Sequence, residues 1–145
     1  MLVLKRIGCY FLSWTWGIRM SFIGLWPIVI LAFMGKVHVF HGRLYGVMGK
    51  NWGGVNFGCF FICCEDSAQD DNLRAHECGH GIQNIVFGPL MPFIIAIPSA
   101  IRYWYREMIW RRSKEEYWKL PNYDAIWFEG LATKWGKDYI LTDKI

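Results

Sequence analysis

One long apolar run and several shorter alternating segments occupy the first part of the chain. Residues 7–34 are apolar apart from Arg19 and a few small polar side chains, a length sufficient for a helix that crosses a bilayer. Arg19 is costly near the middle of a straight span, and Trp26-Pro27 favours a helix break just after it. The alternative is a re-entrant or interfacial helical hairpin, which the positive charges on both flanks favour.

Three short segments after this run have the pattern of β-strands. Residues 36–40 alternate between polar and apolar side chains, and residues 43–47 follow a turn predicted at His41-Gly42. Residues 55–64 are rich in β-branched and aromatic side chains and predict a third strand. Together these segments predict a small antiparallel sheet.

Two helices are predicted in the second half of the chain. The first covers residues 73–87, after a polar loop that ends in helix-capping side chains. Its 3- and 4-residue spacing places five side chains on one face, namely Leu73, His76, His80, Gln83 and Phe87. Gly88-Pro89 ends this helix. A second buried helix is predicted over residues 125–135, ended by Gly136.

Between these helices the chain is first apolar and then basic and aromatic. Residues 90–101 are too short and too often interrupted by proline to predict a membrane span, so they lie in the core or dip into a bilayer. Residues 102–119 combine basic and aromatic side chains, which is typical of an interfacial helix. The alternative is a solvated helix whose Trp and Tyr side chains face the core. The whole order of elements predicts an α+β fold.

Composition and charge favour a membrane surface as a partner. Hydrophobic residues make up 54% of the chain and charged residues only 19%, and the apolar excess lies in two stretches. Residues 1–64 contain basic but no acidic side chains, which suits the anionic inner leaflet. Because no dense Lys/Arg run is present, nucleic acid is not a predicted partner. We expect an apolar membrane-associated helical segment over residues 1–35 and one further domain over residues 36–145.

The five cysteines indicate the compartment. Their number is odd and their spacing forms no framework, which argues against a secreted disulfide scaffold. Buried free thiols in a reducing compartment are the simplest interpretation. We therefore expect the second domain to face the cytoplasm.

The most informative motif is HExxH, which covers His76-Glu77-Cys78-Gly79-His80. Residues four apart project from one helix face, so both imidazoles can bind one Zn²⁺ at about 2.0–2.1 Å. Glu77, beside them, can take a proton from a zinc-bound water and deliver it to a leaving amine, since the metal lowers the pKa of that water toward about 7. The alternative is a surface helix that carries two histidines by chance.

A catalytic zinc site needs a third protein ligand. His38 and His41 precede the motif in the predicted sheet, whereas Glu129 lies in an otherwise apolar helix. A buried carboxylate is costly unless it is paired or bound to a metal, so Glu129 is the predicted ligand. The alternative for Glu129 is an ion pair with Lys134 or Arg74.

The segment from His76 to Ile101 resembles a family of small membrane-associated bacterial metallopeptidases of the gluzincin type, whose pattern is close to HEYGHxxQSxxLGPLYLxxIGLPS. A T-E-K-x-A-D-x-L-G helix follows downstream in that family. The resemblance covers roughly residues 50–140 and includes GGVNFG at residues 53–58. The matching positions are His76, Glu77, Gly79, His80, Gln83, Gly88, Pro89, Leu90, Pro98, Ser99, Glu129, Ala132 and Gly136.

This resemblance implies a minimal zincin-like domain, in which a small antiparallel sheet supports an active-site helix and a ligand helix. His76, His80 and Glu129 would bind zinc and Glu77 would be the general base. The strand over residues 55–64 would be an edge strand that pairs with an extended peptide substrate. The chain departs from the family at Cys78, for which core packing is expected, and at Thr133, where the family often has an aspartate that orients a ligand histidine.

The predicted function is therefore zinc-dependent hydrolysis of peptide bonds in a peptide or protein substrate, with membrane lipid as a further partner. One alternative is a non-catalytic membrane-bound protein that binds zinc or a partner, which Thr133 and Cys78 favour. Another is an intramembrane protease of the site-2 type, which Asp70, Asp71 and Arg74 near the motif disfavour. Tyr123 and Tyr139 are candidates to stabilise the oxyanion. The sequence makes no prediction about oligomeric state.

Overall fold

The computed structural model describes residues 2–142 and has the predicted α+β composition. The described part contains six α-helices and four strands. In chain order these are α1 (Leu2–Thr15), α2 (Ile18–Phe33), β1 (Val37–Phe40), β2 (Arg43–Val47), β3 (Gly54–Phe57), β4 (Phe60–Cys63), α3 (Asp71–Phe87), α4 (Ile97–Arg112), α5 (Lys114–Lys119) and α6 (Trp127–Thr142). Short 3-10 turns cover Glu65–Ser67, Gly88–Leu90 and Tyr123–Ala125, and a π-helical turn covers Pro92–Ala96.

The sheet is mixed, with strand order β1-β2-β4-β3, so the prediction of an antiparallel sheet is wrong for one pair. Strand β4 pairs antiparallel with β3 and parallel with β2. The single strand predicted over residues 55–64 is also wrong, because Gly58 adopts a φ of 72° and turns the chain back. Asn56 stabilises this turn, since its side-chain oxygen accepts a hydrogen bond from the N–H of Gly58.

Helices cover both faces of the sheet. On one face, Ile28 and Leu31 of α2 pack against Phe60 and Ile62 of β4. On the other face the core contains Cys78 of α3, which is fully buried as expected, together with Phe40, Tyr45, Phe61 and Cys63. The sheet thus lies between the α1–α2 pair and the α3–α6 pair.

Helices α3 and α6 approach each other closely because glycine lies at both contact points. A Cβ atom at Gly79 would lie 1.8 Å from the backbone oxygen of Ala132, and one at Gly136 would lie 1.9 Å from that of Ala75. Gly136 therefore continues α6 instead of ending it, which corrects the predicted helix end. This packing sets α6 directly against the HExxH face of α3.

The apolar N-terminal run breaks at Gly17, whereas the predicted break at Trp26-Pro27 is wrong because Pro27 lies inside α2. Gly17 packs against Asn84 of α3, whose side-chain amide donates a hydrogen bond to the Gly17 carbonyl. Within the described residues no single helix is long and apolar enough to cross a membrane. Two bent helix pairs meet the length and composition criteria together, with bends of 98° and 118°.

Candidate metal centre

Helix α3 presents the two motif histidines side by side. Its N-terminus is capped by Asp70, whose side chain accepts a hydrogen bond from the N–H of Asn72. His76 and His80 lie one turn apart, and their ring centroids are 4.7 Å from each other. His80 is buried and His76 is half-buried, and both line one cleft.

Glu129 completes the cluster from the first turn of α6. Its Oε2 atom lies 3.1 Å from Nε2 of His76 and 3.2 Å from Nε2 of His80. The three ligand atoms lie within 4.8 Å of one another, so this group could hold a metal ion. The alternative ion pair between Glu129 and Arg74 is not formed, because Arg74 pairs with Asp71. His38 and His41 lie outside this cluster.

Electrostatics favour a cation at the centre of the cluster. Burial by itself raises the pKa of Glu129, but hydrogen bonds from His76 and His80 hold that pKa well below its ordinary value. The carboxylate is therefore ionised although its side chain is fully buried. Two imidazoles and one carboxylate form the donor set of many catalytic zinc sites.

In each candidate ligand, the polar atom that faces away from the other two ligands is hydrogen-bonded to a neutral side chain. Thr133 Oγ1 lies 2.8 Å from Nδ1 of His76, and Gln83 Oε1 lies 2.7 Å from Nδ1 of His80. The hydroxyl of Ser99 donates to Glu129 Oε1 at 2.5 Å. Gln83 and Ser99 are among the positions of the gluzincin resemblance, but no role is predicted for them from the sequence, because Phe128 and Glu129 lie far from them along the chain.

The direction of one of these hydrogen bonds determines the histidine tautomer. The amide nitrogen of Gln83 donates to the carbonyl of Phe128 at 2.6 Å, so its oxygen faces His80 as an acceptor. Nδ1 of His80 must then donate. With Nδ1 donating, the hydrogen bond from Nε2 to Glu129 requires the protonated ring. Loss of that proton leaves the lone pair on Nε2, which faces the cluster and is the form required for metal binding.

Glu77 lies beside the cluster with one oxygen unpartnered. Its side chain is buried, and its Oε2 atom has no hydrogen-bond partner among the described residues. Burial raises the pKa of Glu77, while the nearby His80 and His76 oppose that rise. Gly54 of β3 leaves room for the carboxylate, because a Cβ there would lie 2.8 Å from Glu77 Oε1. The side-chain amide of Asn56 donates to the Glu77 carbonyl and ties β3 to α3.

The candidate ligands lie in a cleft of about 710 Å³ between β3 and the segment that leads into α4. His76, Glu77 and His80 line it, as do residues 53–57. Tyr123 also lines the cleft, with its ring centroid 6.3 Å from that of His76. Tyr139 does not line it, and its hydroxyl donates to the His41 carbonyl, which removes Tyr139 from the oxyanion candidates.

Comparisons of the chain with protein-family models, curated proteins and solved structures found no match. The gluzincin resemblance and the hydrolase activity therefore remain predictions. They depend on the motif and on the geometry of His76, His80, Glu129 and Glu77.

Proposed function

We propose that the protein is a zinc-dependent peptidase whose metal ligands are His76, His80 and Glu129. One observation carries this proposal. Two imidazole Nε2 atoms and one ionised carboxylate converge on a point. A second buried carboxylate, Glu77, lies beside them on the same cleft, and its Oε2 atom has no hydrogen-bond partner among the described residues. A purely structural cluster would not require that second, unpaired carboxylate.

The residues present fit zinc. The donor set has three protein ligands, which leaves a coordination position for water or substrate. Bound there, zinc would supply a Lewis acid that polarises a water molecule and the substrate carbonyl. Thr133, Gln83 and Ser99 would keep the ligands oriented, since each holds the atom that faces away from the metal.

Glu77 would move the proton in this reaction. Its carboxylate accepts a proton from the attacking water and passes it to the amine that leaves when the peptide C–N bond breaks. Burial raises the pKa of Glu77, which makes its carboxylate a stronger base toward the attacking water. Glu77 returns to its ionised form after each turnover.

Tyr123 is the proposed donor to the developing oxyanion. Burial raises the pKa of Tyr123, so its hydroxyl keeps its proton at neutral pH and can donate it in a hydrogen bond. Arg102 and Arg106 hold the tyrosine in place, with guanidinium carbons 5.5 Å and 5.7 Å from the ring centroid.

Strand β3 would hold the substrate backbone, because its outer edge pairs with no other strand in the described part of the chain. The carbonyl of Gly53 accepts a hydrogen bond from the N–H of Cys64, and hydrogen-bonded pairs alternate along an antiparallel ladder. The backbone groups of Gly54 and Asn56 therefore point away from β4. They can pair with an extended peptide that lies along the cleft.

We also propose that the protein associates with a membrane on its cytoplasmic side. The first turns of α4 support this, because their basic side chains do not face outward. Arg102 and Arg106 turn inward and donate to the carbonyls of residues 121–123. Ile101, Trp104 and Met108 face outward, with exposed fractions of 64%, 64% and 48%. A face of this kind suits the lipid interface, and the basic N-terminal half suits anionic headgroups.

Metal analysis and a hydrolysis assay test the enzymatic proposal. Protein purified in detergent should retain one zinc, and Glu129→Ala should lose most of it. Wild-type protein should cleave casein in a chelator-sensitive way, whereas Glu77→Gln should bind zinc normally and be inactive. Absence of bound zinc, or equal zinc in Glu129→Ala, would refute the ligand set. Normal zinc binding without Glu77-dependent cleavage would instead indicate a non-catalytic zinc-binding protein.

A further inference from the structure

The cleft offers almost no charge to a ligand outside the candidate metal centre. Apart from His76, Glu77 and His80, one charged side chain lines it in the described part of the chain, namely Asp124, which is exposed. A charged ligand side chain that packs against the apolar walls, away from Asp124, would lose its hydration without gaining a partner. Most of the remaining lining is apolar and includes Met20, Val55, Met91, Ile95, Ile97 and Ala100.

The same cleft offers hydrogen bonds to a peptide backbone. The free edge of β3 presents the N–H and C=O groups of Gly54 and Asn56 beside Glu77. A lipid chain or another apolar small molecule would leave these groups unpaired. An extended peptide satisfies them while its side chains fill the apolar walls.

The mouth of the cleft coincides with the outward face of α4. Ile97 and Trp104 line the cleft and are also exposed, by 49% and 64%. They share one helix face with Ile101 and Met108, because the four residues follow 3- and 4-residue spacing. A peptide can therefore pass from the apolar outer face into the cleft without crossing a charged surface.

We infer that the cleft takes an apolar segment of a membrane-bound peptide, which enters past Ile97 and Trp104 and lies with its backbone along β3. This inference rests on the proposed peptidase function and names its substrate class. Ile97 and Ala100, on the α4 side of the cleft, contact the substrate side chains.

A photo-crosslinking experiment tests the inference separately from catalysis. The Glu77→Gln protein, in phospholipid nanodiscs, is mixed with two peptides that share a palmitoyl anchor and one central benzoylphenylalanine. They differ only in the flanking residues, which are leucine in one peptide and lysine in the other. The common anchor equalises their concentration at the lipid surface. The leucine peptide should crosslink about tenfold more than the lysine peptide, with adducts in residues 91–104.

A matched pair of variants assigns this preference to the cleft. Ile97→Asp places a carboxylate in the cleft wall, so the preference for leucine should fall about tenfold, because lysine now has a partner. Val86→Asp makes the same charge change at an exposed position of α3, which neither lines the cleft nor lies on the outward face of α4. It should keep the wild-type preference.

The outcomes separate the inference from the proposed function. Equal crosslinking of both peptides, adducts outside the cleft, or the same preference in both aspartate variants would overturn the inference. Hydrolysis of both peptides by the wild-type zinc protein at equal rates would also overturn it, while the peptidase proposal would stand. Selective crosslinking without any hydrolysis would support the inference and refute the peptidase.

Discussion

The hydroxyl of Thr133 lies 2.8 Å from Nδ1 of His76, at the position where an aspartate would orient a ligand histidine. Threonine therefore keeps the hydrogen bond of an acidic residue without its charge. Gln83 and Ser99 are also neutral, so none of the three side chains that orient the candidate ligands adds negative charge to the centre. Neutral hydrogen-bond partners orient the ligands. They leave the histidines weaker electron-pair donors to a metal than a carboxylate partner at the same place would.

Thr133 should accordingly control metal affinity. Thr133→Val removes the hydrogen bond at nearly constant volume and should weaken zinc binding by about 10- to 100-fold. Thr133→Asp should strengthen it, because the carboxylate makes His76 a better donor. Dissociation constants from competition with a chromophoric chelator measure both effects. Thr133→Ser is the control and should stay close to wild type; an unchanged affinity in Thr133→Val would contradict a role for the hydroxyl.

Gln83 should matter for both affinity and stability, since it joins His80 to the carbonyl of Phe128. Gln83→Leu leaves two buried polar groups unpaired and should lower the free energy of unfolding by about 1–3 kcal/mol. Zinc affinity should fall as well, because the His80 ring loses its orientation. Urea unfolding of the metal-free protein isolates the first effect.

Gln83→Glu separates the two roles of this side chain. Glutamate keeps an acceptor for His80 but loses the donor to Phe128. It should therefore retain more zinc affinity than Gln83→Leu, while its metal-free form remains destabilised. Equal affinity in the two variants would show that His80 does not depend on this acceptor.

The close contact of α3 and α6 gives a further prediction. Gly79→Ala forces a Cβ against the carbonyl of Ala132, so it should destabilise the protein by about 1–3 kcal/mol and displace Glu129 from the histidines. Gly8→Ala is the matched control, because Gly8 lies in α1, where an added Cβ would meet no packing neighbour within 4 Å. That variant should be neutral or slightly stabilised. Thermal unfolding of both variants makes the comparison.

The candidate ligands could be predicted from the sequence because their chemistry is local. His76 and His80 follow helical spacing, and Glu129 is a lone carboxylate in an apolar segment. The strand turn at Gly58 was missed because it depends on the Asn56 side chain within an otherwise apolar run. The helix break at Gly17 was missed because its cause, Asn84, lies 67 residues away.

The sheet topology was equally inaccessible from local pattern. Periodicity shows where strands lie but not which strands become neighbours. In this sheet β4 pairs directly with β2, although β3 lies between them in the sequence. Ser99 shows the same limit at the site. A serine in an apolar stretch has no recognisable role until folding brings it to Glu129, 30 residues further along the chain.

Membrane association should depend on the outward face of α4. Met108→Asp places a charge on that face and should lower binding to vesicles that contain anionic phospholipid about tenfold, because a charge at the interface must keep its hydration. Gln69→Asp makes the same charge change in an exposed loop and is the control for net charge. Vesicle sedimentation at 0.1 M and about 0.5 M salt separates apolar from electrostatic binding, since salt screens only the latter. If both variants lose the same amount, or if high salt releases the wild type completely, attraction to the basic N-terminal half explains the binding and the α4 face does not contribute.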